Sequence, residues 1–172
     1  VCRRQRQMCI RDRGNVKKVL ILDLDDTIWG GTIGDVGYEG IKIGYSDPES
    51  KSFLNFQKII LNLKERGVIL AVCSKNDLNL AKSAFIKRKD MILKLKDISV
   101  FKANWENKAK NITEIQKELN LSYNSMVFVD NNQVERDFIR KTLPDISVPE
   151  LSNSGTEISV SYTHLRAHET DY

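Results

Sequence analysis

Three acidic residues follow an apolar run near the beginning of the chain. Residues 19–22 are all apolar, and Asp23, Asp25 and Asp26 come directly after them. A short apolar run is typical of a buried parallel strand, and ligands bind beyond the carboxyl ends of such strands. Two carboxylates two residues apart repel each other unless a cation or a shared proton reduces the repulsion. Asp23 and Asp25 therefore indicate a divalent metal with oxygen ligands, and Mg²⁺ is the natural candidate. An acidic turn is the alternative, because Asp is common in turns.

Two further apolar runs also end in polar residues. Residues 68–73 are followed by Ser74, and residues 126–129 by Asp130. Helical spacing predicts helices at 53–63, 78–85, 107–119 and 134–143, and the shorter pieces are 91–95, a strand or a helix, and 146–148, a strand. Strands that alternate with helices imply a parallel sheet with right-handed crossovers. We therefore predict a Rossmann-like α/β fold with three α/β/α layers, in which Asp23, Ser74 and Asp130 lie at one edge of the sheet.

A glycine-rich segment follows the first acidic cluster. Six glycines occur between residues 30 and 44 among short alternating stretches. This pattern predicts a small β-hairpin flap with tight turns after the first strand. A phosphate-binding P-loop is the alternative, but the Gly-Lys-Ser/Thr sequence that it requires does not follow.

Composition and charge favour one soluble domain. The chain has 172 residues, of which 41% are hydrophobic, and no apolar run approaches the roughly 20 residues needed to cross a bilayer. The net charge is +4, but residues 1–14 contribute +4 and residues 159–172 contribute −1, so the middle carries only +1. A nearly neutral middle argues against a nucleic-acid partner. The three cysteines show no paired spacing, so we expect a cytoplasmic protein without a membrane or nucleic-acid partner.

The two ends of the chain differ from the middle. Residues 1–14 and 159–172 lack core-forming periodicity and resemble translated sequencing-adapter sequence, so we interpret them as non-native or disordered tails around a catalytic domain at 15–158. A natural basic arm and a natural tail are the alternative. His164 and His168 are the only histidines and both lie in the second tail, which leaves carboxylate and lysine chemistry for the domain.

Four motifs in order resemble the haloacid-dehalogenase-like (HAD) superfamily over about residues 17–150. They are Asp23-x-Asp25-x-Thr27, Ser74 at the end of the second strand, Lys108 at a helix start, and Asp130. The segments at 29–31, 72–77, 101–106 and 127–132 are more narrowly similar to the FkbH-like branch. The resemblance implies Mg²⁺-dependent phosphoryl transfer on a phosphorylated small molecule.

The same resemblance implies a role for each motif residue. Asp23 would attack a phosphoryl group and form an aspartyl-phosphate, and Asp25 would protonate the leaving oxygen and then activate water or another acceptor. Asp23, the backbone carbonyl of Asp25, and Asp130 would hold Mg²⁺. Ser74 would donate to a phosphoryl oxygen, and Lys108 would neutralise charge on the nucleophile and the phosphate.

Each motif residue also has an ordinary structural interpretation. Ser74 could cap the following helix, and Asp130 could be a turn residue at a strand end. Lys102 is a rival to Lys108 for the active-site lysine, although the helix-start position favours Lys108. Asn131 stands where the family often has a second acidic residue, so we expect weaker metal affinity.

Cys73 bears on the narrower function. FkbH-like proteins are associated, in polyketide biosynthesis, with taking a glyceryl group from 1,3-bisphosphoglycerate, removing phosphate and loading an acyl carrier protein. Cys73 is the candidate for a thiol step in that transfer, but side chains alternate along a strand, so Cys73 can instead face the core if Ser74 faces the site. We predict glyceryl transfer to a carrier, with a generic small-molecule phosphatase and a catalytically silent binding module of a larger biosynthetic protein as alternatives.

Overall fold

The computed structural model describes residues 16–151. The predicted tails at 1–14 and 159–172, with both histidines, lie outside the described residues, as does the end of the predicted domain at 152–158. Among the described residues, no helix is long and apolar enough to cross a membrane. In chain order the elements are β1 (Val19–Leu22), α1 (Ile33–Gly40), α2 (Pro48–Glu65), β2 (Ile69–Ser74), α3 (Leu78–Lys87), a 3₁₀ helix (Leu95–Asp97), β3 (Ile98–Ala103), α4 (Lys108–Leu119), a second 3₁₀ helix (Tyr123–Ser125), β4 (Met126–Val129) and α5 (Gln133–Thr142).

The four strands form one parallel sheet with the order β3-β2-β1-β4. In the register of the central strands, Leu22 pairs with Val72 on one side and with Val129 on the other. The carboxyl ends of β1, β2 and β4 are therefore level, and the residues that follow them meet at one edge. The predicted Rossmann-like α/β fold is confirmed.

Alternation along the strands divides the core into two layers. Leu20 and Leu22 of β1 pack against apolar residues of α1, α2 and α3, whereas Val19 and Ile21 pack against α4 and α5 on the other face. β1, β2 and β4 thus present apolar side chains to both faces, which is why these three strands appear as continuous apolar runs in the sequence. Helices cover both faces of the sheet, as predicted for three layers.

The glycine-rich segment is helical, so the predicted β-hairpin was wrong. Residues Ile33–Gly40 form α1, which is kinked at Gly37, and a single antiparallel bridge joins Gly30 to Lys42. The chain turns into α1 through Gly31, whose φ of 89° is unfavourable for residues with a side chain. The Asp25 carboxylate then accepts a hydrogen bond from the Ile33 amide, and this tertiary contact caps the helix.

Two other short pieces also differ from the prediction. Residues 91–95 form no regular strand or helix, apart from Leu95, which is the first residue of the 3₁₀ helix. The buried Gln57 side chain instead accepts hydrogen bonds from the amides of Ile92 and Leu93. Residues 146–148 make one parallel bridge, between Ser147 and Val127, instead of a strand. The edge strand β3 was not predicted, because its polar and partly exposed residues interrupt the apolar pattern.

Candidate active site

An open pocket of about 310 Å³ lies at the carboxyl edge of the sheet. All eleven residues that line it are polar or charged: Asp23, Asp25, Asp26, Thr32, Ser74, Lys75, Lys108, Asp130, Asn131, Asn132 and Glu135. Five of the six predicted site residues are among them, and Cys73 is the exception. The pocket is therefore a polar site built from residues at and beyond the carboxyl ends of β1, β2 and β4, together with Lys108 at the start of α4.

A buried lysine joins two buried carboxylates at this pocket. The Lys108 ammonium lies 3.0 Å from Asp23 Oδ1 and 2.5 Å from Asp130 Oδ2. Asp23 is 6% exposed, Lys108 4% and Asp130 0%. Three charged groups tolerate this burial because each is paired with a neighbour of opposite sign.

Burial raises the pKa of Asp23 to about 6; Lys108 opposes the rise, and the nearby Asp130 carboxylate adds to it. Burial alone would lower the pKa of Lys108, but the carboxylates of Asp23 and Asp130 together raise it above its ordinary value. Lys108 is therefore a permanent cation, and with both carboxylates ionised the three groups carry a net charge of −1. One negative charge in a buried site favours the approach of a cation.

The donor set fits Mg²⁺. Among residues 16–151, no group of three or more His, Cys, Asp or Glu side chains is arranged to hold a metal ion by itself. Mg²⁺ commonly binds through one or two carboxylates and keeps several waters, whereas zinc needs three or four protein ligands. Asp23 and Asp130 provide the two carboxylates, and Asn131 lies beside them in the pocket lining.

Asparagine caps begin the two helices that adjoin Lys108 and Asp130. The Asn107 side chain accepts from the Lys110 amide and caps α4, which makes Lys108 the first helical residue and directs it towards the sheet edge. The Asn132 side chain accepts from the Val134 amide and caps α5, two residues after Asp130. Both caps are short-range features that the sequence shows as an Asn before a helical pattern.

A buried arginine fixes the loop that carries Asp130. Arg136 is 3% exposed, and its Nη1 donates to the carbonyl oxygens of Asp130 at 2.9 Å and Asn131 at 2.8 Å. The Asn131 amide in turn donates to Thr27 Oγ1 at 3.2 Å, and the Thr27 hydroxyl lies 3.4 Å from Asp23 Oδ2. The loops after β1 and β4 are thereby joined. Arg136 was not predicted, because its only signal in the sequence is an arginine six residues after Asp130.

The Asp25 carboxylate lies at the meeting point of three segments. Its Oδ1 accepts from Trp29 Nε1 and from the Ile33 amide, each at 3.0 Å. Its Oδ2 accepts from Asn76 Nδ2 at 2.9 Å, and the same nitrogen lies 3.1 Å from Ser74 Oγ. Asn76 was not singled out in the sequence, although an Asn two residues beyond a strand end is a signal that could have found it.

Cys73 is not brought to the pocket. Its side chain is 0% exposed and packs in the core layer that faces α4, with Sγ 3.8 Å from the carbonyl oxygen of Lys108. Burial raises the pKa of the thiol to about 12, with Lys108 opposing the rise and Asp23 adding to it. The geometry supports the packing interpretation and gives no support to an acyl-carrying thiol.

Lys102 also lies away from the pocket. Its ammonium pairs with Glu114 at 3.3 Å and with Glu118 at 2.5 Å, both on α4. Of the two lysines that the sequence left open, Lys108 is the one that contacts Asp23 and Asp130. Two other acidic residues of the pocket have structural partners: Asp26 accepts from the Gly31 amide, and Glu135 pairs with Lys75.

The chain has a Rossmann-like α/β fold with a polar edge, and the solved structures that resemble it include HAD-like hydrolases and phosphatases. Neither a family model nor a curated protein matches the chain. The individual comparison structures differ greatly in sequence identity.

One solved structure is similar in sequence as well as in fold. It is the N-terminal part of a Bacteroides fragilis protein that contains a phosphatase domain, complexed with Mg; it is 48% identical, with a TM-score of 0.87 over 89% of this chain. The alignment covers 41% of that structure's chain, so the present chain spans less than half of its length.

Two further structures share the fold at low identity. A predicted HAD-like hydrolase from Porphyromonas gingivalis is 12% identical, with a TM-score of 0.59 over 88% of this chain and 98% of its own. The 3-deoxy-D-manno-octulosonate 8-phosphate phosphatase of Moraxella catarrhalis, in complex with magnesium, phosphate and its sugar, is 15% identical, with a TM-score of 0.52 over 90% of this chain and 89% of its own. These two show the fold alone.

Proposed function

We propose that this chain is a Mg²⁺-dependent phosphatase of the HAD type that hydrolyses phosphate monoesters of small molecules through an aspartyl-phosphate on Asp23. The observation that carries the proposal is the buried Lys108 held between Asp23 and Asp130 in a polar pocket. The 48% identity to a Mg-bound phosphatase domain supports the same activity.

The first chemical step uses two carboxyl groups. A carboxylate oxygen of Asp23 attacks phosphorus and forms the aspartyl-phosphate, while the bond from phosphorus to the leaving oxygen breaks. The proton of the Asp25 carboxyl group moves to that leaving oxygen, which departs as an alcohol. Lys108 keeps Asp23 in place through its contact with Oδ1.

The second step returns the enzyme to its starting state. The Asp25 carboxylate takes a proton from water as the water oxygen attacks phosphorus, and the Asp23–phosphorus bond breaks. Inorganic phosphate leaves, Asp23 is again a carboxylate and Asp25 is again protonated. Ser74, which lines the pocket beside Lys75, is the hydroxyl donor to a phosphoryl oxygen.

Asp23, Asp130 and the backbone carbonyl of Asp25 are the groups that would hold Mg²⁺. When bound, the ion neutralises charge on the phosphoryl oxygens and so lowers the barrier to phosphoryl transfer. Arg136 supports the Asp130 ligand by holding two neighbouring carbonyl oxygens. The open, polar pocket of about 310 Å³ suits a small phosphorylated substrate.

Glyceryl transfer to an acyl carrier protein is the narrower hypothesis from the sequence resemblance. It has no support from the position of Cys73, whose buried thiol faces the core. It stays a prediction, which intact-mass measurement of a pantetheinylated carrier mixed with 1,3-bisphosphoglycerate, Mg²⁺ and the full chain would test. A catalytically silent binding module is the remaining alternative, and it predicts neither turnover nor metal dependence.

The proposal is tested by phosphate release from a panel of small phosphate monoesters, with and without Mg²⁺. We expect turnover that requires Mg²⁺ and is lost in Asp23→Asn. The matched control is Asp35→Asn, which removes an exposed carboxylate of α1 outside the pocket lining and should leave turnover unchanged. Equal turnover in both variants, or none in the parent chain, contradicts the proposal.

A further inference from the structure

We propose that Trp29 and Asn76 are positioning residues that orient the Asp25 carboxyl group for proton transfer to the leaving oxygen. The inference rests on the proposed function, in which Asp25 is the proton donor. Trp29 Nε1 donates to Oδ1 of Asp25 and Asn76 Nδ2 donates to Oδ2, at 3.0 and 2.9 Å. The Ile33 amide provides the third contact.

The contacts leave one acceptor position on the Asp25 carboxylate. Each carboxylate oxygen has two lone pairs, and among the described residues Oδ1 accepts two hydrogen bonds and Oδ2 accepts one. The remaining position is on Oδ2, and Asp25 lines the pocket. A proton carried by Asp25 therefore belongs on Oδ2, where it can reach a substrate.

The two donors are themselves held rigidly. Trp29 is 0% exposed, and its ring meets Phe85 edge-on with centroids 5.8 Å apart. Asn76 is 2% exposed, and Nδ2 also lies 3.1 Å from Ser74 Oγ. Because the donors come from the loops after β1 and β2, they fix both ends of the carboxylate and prevent its rotation about the Cβ–Cγ bond.

This arrangement has a kinetic signature that a purely structural role lacks. Proton donation matters most when the leaving alcohol is a poor leaving group, and it matters little for a leaving group that departs as a stable anion. Loss of Asp25 orientation should therefore slow hydrolysis of an alkyl phosphate much more than hydrolysis of 2,4-dinitrophenyl phosphate. A general loss of folding or of metal binding would slow both equally.

The test compares kcat for glycerol phosphate and for 2,4-dinitrophenyl phosphate in Trp29→Phe and Asn76→Ala variants of the 172-residue chain. We expect kcat for the alkyl ester to fall at least about tenfold more than kcat for the activated ester, within the roughly 10²- to 10⁴-fold that proton transfer contributes.

Phe85→Leu is the control for Trp29, because it loosens the ring contact and keeps the indole N–H. Asn111→Ala is the control for Asn76, because it removes a buried amide that pairs with Asn104 outside the pocket. Each control should affect both substrates equally, and equal losses in the two test variants overturn the proposal.

A second measurement does not depend on turnover. The indole N–H resonance of Trp29 in an NMR spectrum should move when Asp25→Ala removes its acceptor, while that of the exposed Trp105 should not. Failure of the Trp29 resonance to move overturns the proposed contact. A parent chain that hydrolyses neither ester contradicts the proposed function instead, and the indole resonance then decides the positioning contact by itself.

Discussion

The Lys108 ammonium lies 2.5 Å from Asp130 Oδ2, and both side chains are almost completely buried. The two residues are 22 positions apart, at the start of α4 and directly after β4. Since Asp23 shares the same ammonium at 3.0 Å, one lysine holds together the loops after two neighbouring strands. Stability and chemistry of the site therefore depend on the same side chain.

Lys108→Met should destabilise the protein strongly in the absence of metal. It leaves two buried carboxylates without their cation, and removal of one partner of a buried ion pair costs roughly 3–5 kcal/mol. Mg²⁺ should restore part of the loss, because a ligand that binds only the folded state stabilises it. Urea unfolding with and without Mg²⁺ measures both effects.

Lys102→Met is the matched control for that experiment. Its partners Glu114 and Glu118 are about half exposed, at 45% and 50%, so the loss should stay within about 1 kcal/mol. Phosphatase turnover should be lost in Lys108→Met and kept in Lys102→Met. Loss of turnover in Lys102→Met alone would reverse the assignment of the active-site lysine.

Arg136→Met should raise the Mg²⁺ concentration needed for half-maximal turnover by about tenfold or more. Arg136 holds the carbonyl oxygens of Asp130 and Asn131, and loss of a group that orients a metal ligand typically weakens metal affinity 10- to 100-fold. Arg140→Met is the control, because Arg140 lies on the same helix and shares the partner Glu150, but its other contacts are Asp137 and the Val148 carbonyl. An equal shift in both variants would mean that Arg136 acts only through general stability.

Cys73→Ala should leave phosphatase turnover unchanged. The Cys73 thiol is buried and its pKa is raised to about 12, so the reactive thiolate is scarce at neutral pH. In the folded chain, iodoacetamide at pH 8 should label the Cys73 peptide far more slowly than in the urea-denatured chain, as peptide mass mapping would show. Labelling at the same rate in both states would restore Cys73 as a candidate for a thiol step.

Because of Asp47, the free energy of unfolding should depend on pH in the acid range. Its carboxylate accepts from the Ser50 amide and hydroxyl at the start of α2, and these bonds lower its pKa from 3.8 to about 2. Because the folded-state pKa is below the unfolded one, the contribution is complete above about pH 4 and disappears as pH falls towards 2. The difference in unfolding free energy between the parent chain and Asp47→Ala should shrink over that interval, and a difference that grows there would contradict the assignment.

Much of the fold could be predicted because β1, β2 and β4 are apolar on both faces and end in Asp or Ser. The edge strand β3 was missed, since Ser99 and Lys102 break its apolar pattern. Residues 33–40 were predicted as a hairpin because glycines suggest turns, but the Asp25 carboxylate caps them as a helix. Such a contact depends on tertiary structure and leaves no local signal.

The same limit applies to the site. Asp23, Ser74 and Asp130 were predicted to lie together, because level strand ends place them at one edge, whereas Lys108 was included only through the family resemblance. The supporting contacts from Asn76 and Arg136 were not predicted, since they depend on which side chains meet across loops. Strand alternation gave Cys73 two possible faces, and packing in the structure assigns it to the core.

Trapping of the covalent intermediate would show whether Asp23 is the nucleophile. In Asp25→Asn the second step should lack its base. The 172-residue variant mixed with Mg²⁺ and 2,4-dinitrophenyl phosphate should therefore accumulate one phosphoryl group, measured by acid-quenched intact mass and located by peptide mapping. We expect the adduct on Asp23, and no adduct when Asp23→Asn is added. An adduct on any other residue, or steady turnover by Asp23→Asn alone, would contradict it.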